Sequence, residues 1–205
     1  MSQLLTVLRN RKPGRVGPEP DRGWGSADQG GSGILGILGL VVVVGLIWGL
    51  WALFNGGQEA SNISDIATKT KGYMGGRTGY NFTSGTTMTG NFIQRGFAPG
   101  NMRVVGDADS GTATLWNAWG GQVVLAPVSS GAGMNSGFSI TTNNVPMKDC
   151  ISLAQQFGNG GIFSEIAINS TQHPDGTVTS EEAGKECTKN SGSAGTNTMK
   201  FQVNG

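Results

Sequence analysis

The chain has 205 residues, and its 14 Lys and Arg against 13 Asp and Glu give a formal charge of +1. Such a balanced charge provides no strong field to hold nucleic acid, so we expect no nucleic-acid partner. Charged residues are only 13% of the chain, whereas 36 positions are glycine, well above the ~7% average. One histidine and two cysteines are too few for a Cys/His zinc site, and we predict neither a metal nor a cofactor.

The composition of residues 1–23 predicts a cleaved, basic leader. The segment holds five basic residues against two acidic ones, together with three prolines. A segment of this composition cannot bury enough apolar surface to form a core. We therefore interpret it as a disordered leader that is removed from the mature chain.

Residues 24–57 predict a transmembrane helix. Positions 34–54 are 21 residues without a polar side chain, which as an α-helix at ~1.5 Å per residue would cross about 30 Å of hydrocarbon. Because the basic residues precede this span, we expect the amino terminus in the cytoplasm and residues 58–205 outside. A buried helix of a soluble protein is the alternative, but such a helix would show a polar stripe.

The next segment, residues 58–74, predicts an amphipathic helix that continues outward. Its apolar residues recur at helical spacing, and its charged residues fall between them. The apolar set is Ala60, Ile63, Ala67 and Met74, and the charged set is Glu59, Asp65, Lys69 and Lys71. The apolar stripe needs a partner surface, and residues 75–205 are long enough to supply one as a globular head domain.

Short runs rich in β-branched residues predict strands in the head domain, and glycine-rich stretches predict loops at 75–90 and 129–144. The predicted strands are 102–105, 112–116, 122–126, 138–140, 162–168 and 198–203. A helix is predicted from Pro146 to Gly158, with Cys150 on its inner face. The predicted class is therefore α+β: a long N-terminal hydrophobic helix packed by its outer part on a small, mostly antiparallel sheet domain with one extra helix.

A strong turn signal, Pro174-Asp175-Gly176, lies late in the head domain. We expect it to join strands at 166–171 and 177–182 in a hairpin. This arrangement places His173 at the exposed edge of the hairpin, where its expected role is that of a solvated turn residue.

The sequence offers no catalytic constellation. Residues 31–36 match the pattern G-x-G-x-x-G, but they follow no strand and lead into the apolar run, so the context of a dinucleotide site is absent. The lone histidine has no visible partner for general acid or base catalysis. We predict that the chain is not an enzyme.

Two pairs of residues carry structural predictions. Gly45 and Gly49 form a small-xxx-small pair that would let a neighbouring helix approach closely in lipid, although mere tolerance of glycine explains them equally well.

Cys150 and Cys187 would lie in an oxidising compartment. A disulfide between them would close a loop of ~38 residues and stabilise the fold by about 4 kcal/mol. Two free buried thiols are the alternative.

The most specific pattern precedes the apolar run, where Gly23-Trp24 is followed by Asp28. An unpaired carboxylate that must enter hydrocarbon costs about 2.5 to 3.5 kcal/mol, so Asp28 needs a cationic partner. Cleavage after Gly23 would create one, the new ammonium group of Trp24, best supplied by a neighbouring molecule. The simpler alternative is that Asp28 stays solvated among the lipid headgroups.

With these features the sequence resembles the type IV prepilins, most closely the type IVb class and its major pilins of conjugative thin pili. The resemblance is carried by the basic leader, Gly23 before the hydrophobic Trp24, an acidic residue at the fifth mature position (Asp28), one long apolar helix, and the late cysteine pair. It departs from the family at Asp28, where the family usually has Glu. It also has six glycines within residues 24–39, more than is typical.

The resemblance implies a structural role. A prepilin peptidase would cut between Gly23 and Trp24, Asp28 would be the assembly carboxylate, and Cys150 and Cys187 would form the disulfide. The precursor would sit in a bacterial inner membrane until the assembly machinery polymerises it with copies of itself into an extracellular pilus. Such a major pilin would serve adhesion or mating-pair contact in conjugation. The alternatives are a minor or tip pilin acting as adhesin, and a signal-anchored periplasmic binding domain that never polymerises.

Overall fold

The computed structural model describes residues 41, 42, 44, 57–129 and 135–204. The predicted leader and nearly all of the predicted span at 34–54 lie outside the described residues. Residues 41, 42 and 44 are helical, and their valine side chains are exposed. Among the helices in the described ranges, none combines the length and apolarity needed to cross a membrane. The chain divides into two compact units, Met1–Ile47 and Trp48–Gly205, and the fold described below belongs to the second.

Residues 57–73 form helix α1. The four apolar residues that the sequence placed on one face, Ala60, Ile63, Ala67 and Met74, are all buried. On the outer side, Lys69 Nζ and Asp65 Oδ2 form an ion pair of 2.8 Å across one turn. Glu59 differs from the expectation, because it is only 2% exposed rather than on the polar side.

The head contains one sheet in which every neighbouring pair of strands is antiparallel. The strands are β1 (Arg103–Val105), β2 (Thr114–Trp116), β3 (Gln122–Val128), β4 (Gly137–Val145), β5 (Glu165–Ile168), β6 (Thr171–His173) and β7 (Asn197–Val203). Their spatial order is β1-β2-β3-β4-β7-β5-β6. The last strand of the chain therefore inserts between β4 and β5, and the prediction of a mostly antiparallel sheet is confirmed.

Alternate residues of the central strands face the hydrophobic core, as the period of two requires. On β4 these are Phe138 and Ile140, and on β7 they are Met199 and Phe201, which is the register partner of Ile140. The core continues into the helices, because rings of Phe157 and Phe201 lie 5.1 Å apart, centroid to centroid. The sheet and the helix that carries Phe157 are thus parts of one core.

Three helices accompany α1 in the described part of the head, where the sequence predicted one. They are α2 (Gly85–Gln94), α3 (Met147–Gly158) and α4 (Ser180–Glu186), with a single 3-10 turn at Ala108–Ser110. Only α3 was predicted, and its bounds agree with the expectation. The predicted loop at 75–90 is wrong because Ser84 and Thr87 form a capping box that starts α2. The predicted strand at 177–182 is wrong because a second capping box, Thr179 with Glu182, starts α4.

The predicted hairpin is displaced along the chain. Strands β5 and β6 do pair as a hairpin, but the turn between them contains Asn169, whose φ of 55° is left-handed. The 174–176 turn comes after β6 and leads toward α4. His173 is consequently not solvated: it is 8% exposed, and its Nε2 lies 2.9 Å from Oε2 of Glu186.

Helix α2 covers the part of β3 that extends beyond its pairing with β2. The buried Thr89 hydroxyl accepts a 2.9 Å hydrogen bond from the Leu125 backbone N–H, so a side chain satisfies a strand edge that no neighbouring strand reaches. Helix α2 also lies against the segment at Gly111. This contact depends on glycine at position 90, because a Cβ there would overlap the Gly111 carbonyl. The helix therefore forms despite two glycines of low helix propensity.

We expect Thr89→Val to destabilise the fold by about 1 to 3 kcal/mol, because the shape is kept while the Leu125 N–H loses its acceptor inside the core. The matched control is Thr86→Val, which makes the same change on the exposed side of α2. Chemical unfolding followed by circular dichroism would measure both variants. Equal stability of the two variants would contradict this role of Thr89.

Candidate functional site

The structure describes two of the seven residues that the sequence singled out. Cys150 and Cys187 lie inside the described ranges and form a disulfide, with their Cα atoms 5.9 Å apart. Free thiols are thereby excluded for this pair. Gly23, Trp24, Asp28, Gly45 and Gly49 lie outside the described residues, so their roles in processing, assembly and helix packing stay predictions.

The disulfide joins the first turns of α3 to the residue that ends α4. Both sulfurs belong to buried residues, 0% exposed for Cys150 and 3% for Cys187. The segment between them holds β5, β6 and α4, and the His173–Glu186 contact ties β6 to α4 within it. The disulfide thus joins the two ends of a region of short elements, and the His173–Glu186 contact links two of these elements to each other.

Asn197, at the start of β7, fixes the chain that leaves the disulfide. It is fully buried, and its Nδ2 donates to the carbonyls of Val145 and Thr188 at 3.0 Å each. Its Oδ1 accepts from the Thr188 N–H at 2.7 Å and from Asn169 Nδ2 at 3.0 Å. One amide therefore connects β4, β7, the β5–β6 turn and the segment after Cys187, a role that no local pattern in the sequence indicates.

A groove of about 360 Å³ lies beside this junction. Its apolar surface comes from Met147 and Ile151 on the first turns of α3, and Lys148 and Lys189 stand at its border. Asn190 completes the lining, and its Oδ1 accepts a 2.8 Å hydrogen bond from the Met147 N–H, which holds the segment after Cys187 against α3. The groove therefore offers apolar contact next to positive charge.

Two carboxyl groups of the head are buried, Glu59 on α1 and Asp149 in the first turn of α3. Glu59 of α1 accepts a 2.7 Å hydrogen bond from the Ala118 N–H through its Oε1. Burial raises the pKa of Glu59, and the nearby Asp149 carboxylate raises it further, although the Ala118 hydrogen bond opposes the shift. Burial also raises the pKa of Asp149, against the opposing charge of Lys148. In the described ranges no three His, Cys, Asp or Glu side chains are grouped to hold a metal ion.

We expect Asn197→Asp to lower the free energy of unfolding by about 3 kcal/mol or more. The substitution keeps the size but leaves the Val145 and Thr188 carbonyls without donors, and each buried polar group left unpaired costs about 1 to 3 kcal/mol. Asn204→Asp makes the same change at an exposed position and is the matched control. Urea unfolding of both variants tests the difference, and similar losses would refute the central role of Asn197.

The raised pKa of Glu59 predicts that the contribution of this group to stability falls as the pH rises. A folded chain that holds the Glu59 proton more tightly than the unfolded chain is favoured by acid, so the stabilisation is complete below the ordinary value of 4.5 and declines above it. Glu59→Gln removes the charge, and its amide oxygen still accepts from Ala118.

We therefore expect Glu59→Gln to have a higher Tm than the unmodified chain at about pH 7, with the gap closing near pH 4. Exposed Glu181→Gln is the control for loss of one carboxylate. Thermal unfolding across this pH range makes the comparison. A gap that persists in acid would assign the effect to something other than ionisation of Glu59.

This chain is similar to known proteins in both sequence and architecture. Residues 55–204 match the family model described as PilS N terminal. The crystal structure of type IV b pilin from Salmonella typhi is 50% identical, with a TM-score of 0.65, and the match covers 73% of this chain and 99% of that one. The NMR structure of type IVb pilin (PilS) from Salmonella typhi is 46% identical, with a TM-score of 0.52 and coverages of 74% and 97%. A comparison with curated protein sequences gave no match.

The family model covers most of the chain, and the identity to the solved pilins is high over nearly their full length. Pilins are structural subunits, so the prediction that the chain is not an enzyme is confirmed by its relatives. On this sequence and structural evidence, the chain belongs to the type IV pilins of class b.

Proposed function

We propose that the chain is the major subunit of a type IVb pilus, used for adhesion or for mating-pair contact in conjugation. The observation that carries the proposal is the pilin match over residues 55–204, preceded in the same chain by a basic leader and an apolar run at 34–54. The 21-residue apolar segment before a head of this family supports the proposal, because such segments can pack against each other in the centre of a filament.

Processing is the first step of the proposed mechanism. The precursor is held in a bacterial inner membrane by residues 34–54, and a prepilin peptidase on the cytoplasmic side cleaves between Gly23 and Trp24. Cleavage removes the basic leader and leaves a single ammonium group on Trp24. The positive charge at the amino-terminal end of the apolar helix is then a single ammonium group instead of a basic segment.

Assembly then depends on Asp28. Its carboxylate is the one charged group near the entry of the apolar run, and entering a dry environment unpaired costs about 2.5 to 3.5 kcal/mol. The Trp24 ammonium of an adjacent subunit removes that cost when two helices lie side by side. Burial of apolar surface against neighbouring helices, at ~25 cal/mol per Å², favours the fibre once a subunit leaves the lipid.

Amino-terminal sequencing of filaments sheared from the cell surface tests the proposal directly. A sequence that begins at Trp24 in the most abundant sheared protein supports a processed major subunit. A processed chain present in a few copies per filament would instead indicate a minor or tip pilin. An intact leader on a chain that stays in the cell envelope would indicate an anchored domain and refute the proposal.

We expect Asp28→Ala to be inserted and cleaved normally but to lose filament assembly, because the Trp24 ammonium then has no partner. Asp28→Glu is the matched control, since it keeps the charge and has the residue usual in the family, and it should assemble. Immunoblots of whole cells and of sheared material measure the two steps separately. Normal piliation by the alanine variant would refute the pairing.

A further inference from the structure

We infer that the groove at the start of α3 receives the acidic loop 105–109 of a second copy of the chain. The inference rests on the proposed function, because it names a contact between heads of polymerised subunits. The groove and the loop are surfaces of the head, separate from the apolar helices, and their contact would fix the position of one head relative to the next.

The groove has two kinds of surface that a partner must match. Met147 and Ile151 are only half-buried, so their apolar surface remains in contact with solvent in the isolated head. Lys148 and Lys189 are exposed at its border. A segment that brings an apolar side chain together with a carboxylate therefore fits both surfaces.

Loop 105–109 has this composition. The Val105 side chain is 42% exposed at the end of β1, and Asp107 and Asp109 follow within four residues. The loop is held in shape, because Asp107 Oδ1 accepts a 3.0 Å hydrogen bond from the Asp109 N–H and Gln94 Nε2 donates at 2.7 Å to the Asp109 carbonyl. A loop that is already ordered loses little conformational entropy on docking.

Other carboxylates in the described part of the chain are occupied or covered. Two groups are in ion pairs, one contacts a histidine ring nitrogen, two accept hydrogen bonds within their own turns, and two are buried. These are respectively Asp65 and Glu181; Glu186; Asp175 and Glu182; and Glu59 and Asp149. Glu165 is half-buried within β5. The exposed carboxylate of Asp109 forms no ion pair with any described residue, so it is available to a neighbouring subunit.

The positions of the two surfaces suit a filament. Loop 105–109 leaves the edge strand β1, whereas the groove follows β4, and strands β2 and β3 lie between them in the sheet. Two different surfaces of the same chain can meet head to tail, so that each subunit uses its loop toward one neighbour and its groove toward another. Repeated with a rotation that does not close a ring, such a contact gives an open helical polymer.

Charge reversal tests the contact. Lys189→Glu and Asp109→Lys should each lower the yield of sheared filaments about tenfold, because like charges then face each other. The double variant Lys189→Glu/Asp109→Lys restores opposite charges and should recover most of the yield. Arg77→Glu, an equal reversal at another exposed position, is the control and should assemble normally.

Cross-linking of the unmodified filaments supplies a second measurement that needs no variant. A carbodiimide joins a carboxylate and an amine in contact as an amide, with loss of water. Mass spectrometry should find loop 105–109 joined to Lys148 or Lys189 in filaments and not in detergent-dissociated subunits. Failure of the proposed function would appear as absence of filaments from the unmodified chain, which is a different result.

Three results would overturn the inference: wild-type yield from both single reversals, no recovery in the double variant, or no such cross-link in filaments.

Discussion

One hydrophobic core constrains everything else in the head, because the apolar face of the sheet packs against the inner faces of the helices. Ile63 and Ile66 of α1 are buried in the same continuous cluster as Phe138 and Phe201 of the sheet. Each such side chain contributes about 1.5 to 3 kcal/mol when fully buried. Helix α1 is therefore an integral part of the head rather than an appendage, and a force applied to α1 is transmitted to the sheet through packed side chains.

Strands β5 and β6 and helix α4 are short elements, and specific polar and covalent links hold them in addition to core packing. The disulfide closes the segment that contains β5, β6 and α4, and the buried Asn197 amide fixes both the entry and the exit of that segment. The contact of His173 Nε2 with Glu186 Oε2 adds a link within it. These constraints leave the groove beside Met147 and Lys189 as a defined surface, because its border segment is anchored two residues earlier by Cys187.

Sequence patterns predicted an element correctly where residues close together in the chain determine its structure. Short runs rich in β-branched residues predicted strands at 122–126 and 138–140, and Pro146 correctly predicted the start of α3. The errors occur where distant residues decide. Helix α2 starts at the capping box of Ser84 and Thr87, but it contains two glycines, and the edge of β3 that Thr89 covers helps to hold it. Glu59 is buried where its carboxylate accepts a 2.7 Å hydrogen bond from the Ala118 N–H. The start of α4 is a different case, since Thr179-x-x-Glu182 was a readable capping signal. Of the candidate site, the cysteine pair could be anticipated from composition and compartment, whereas Asn197 and the groove are formed by residues far apart in sequence.

The low charge of the chain bears on how such subunits recognise each other. Beyond Gly23 there are nine basic and eleven acidic residues, so identical heads neither repel nor attract each other strongly at a distance. The hydrophobic effect between apolar helices is itself non-directional. Short-range features of the head surface add directional selection, because a few charges act over a distance of ~8–10 Å before salt screens them. A surface with few charges makes each unpaired one more selective, because fewer incorrect contacts can satisfy it.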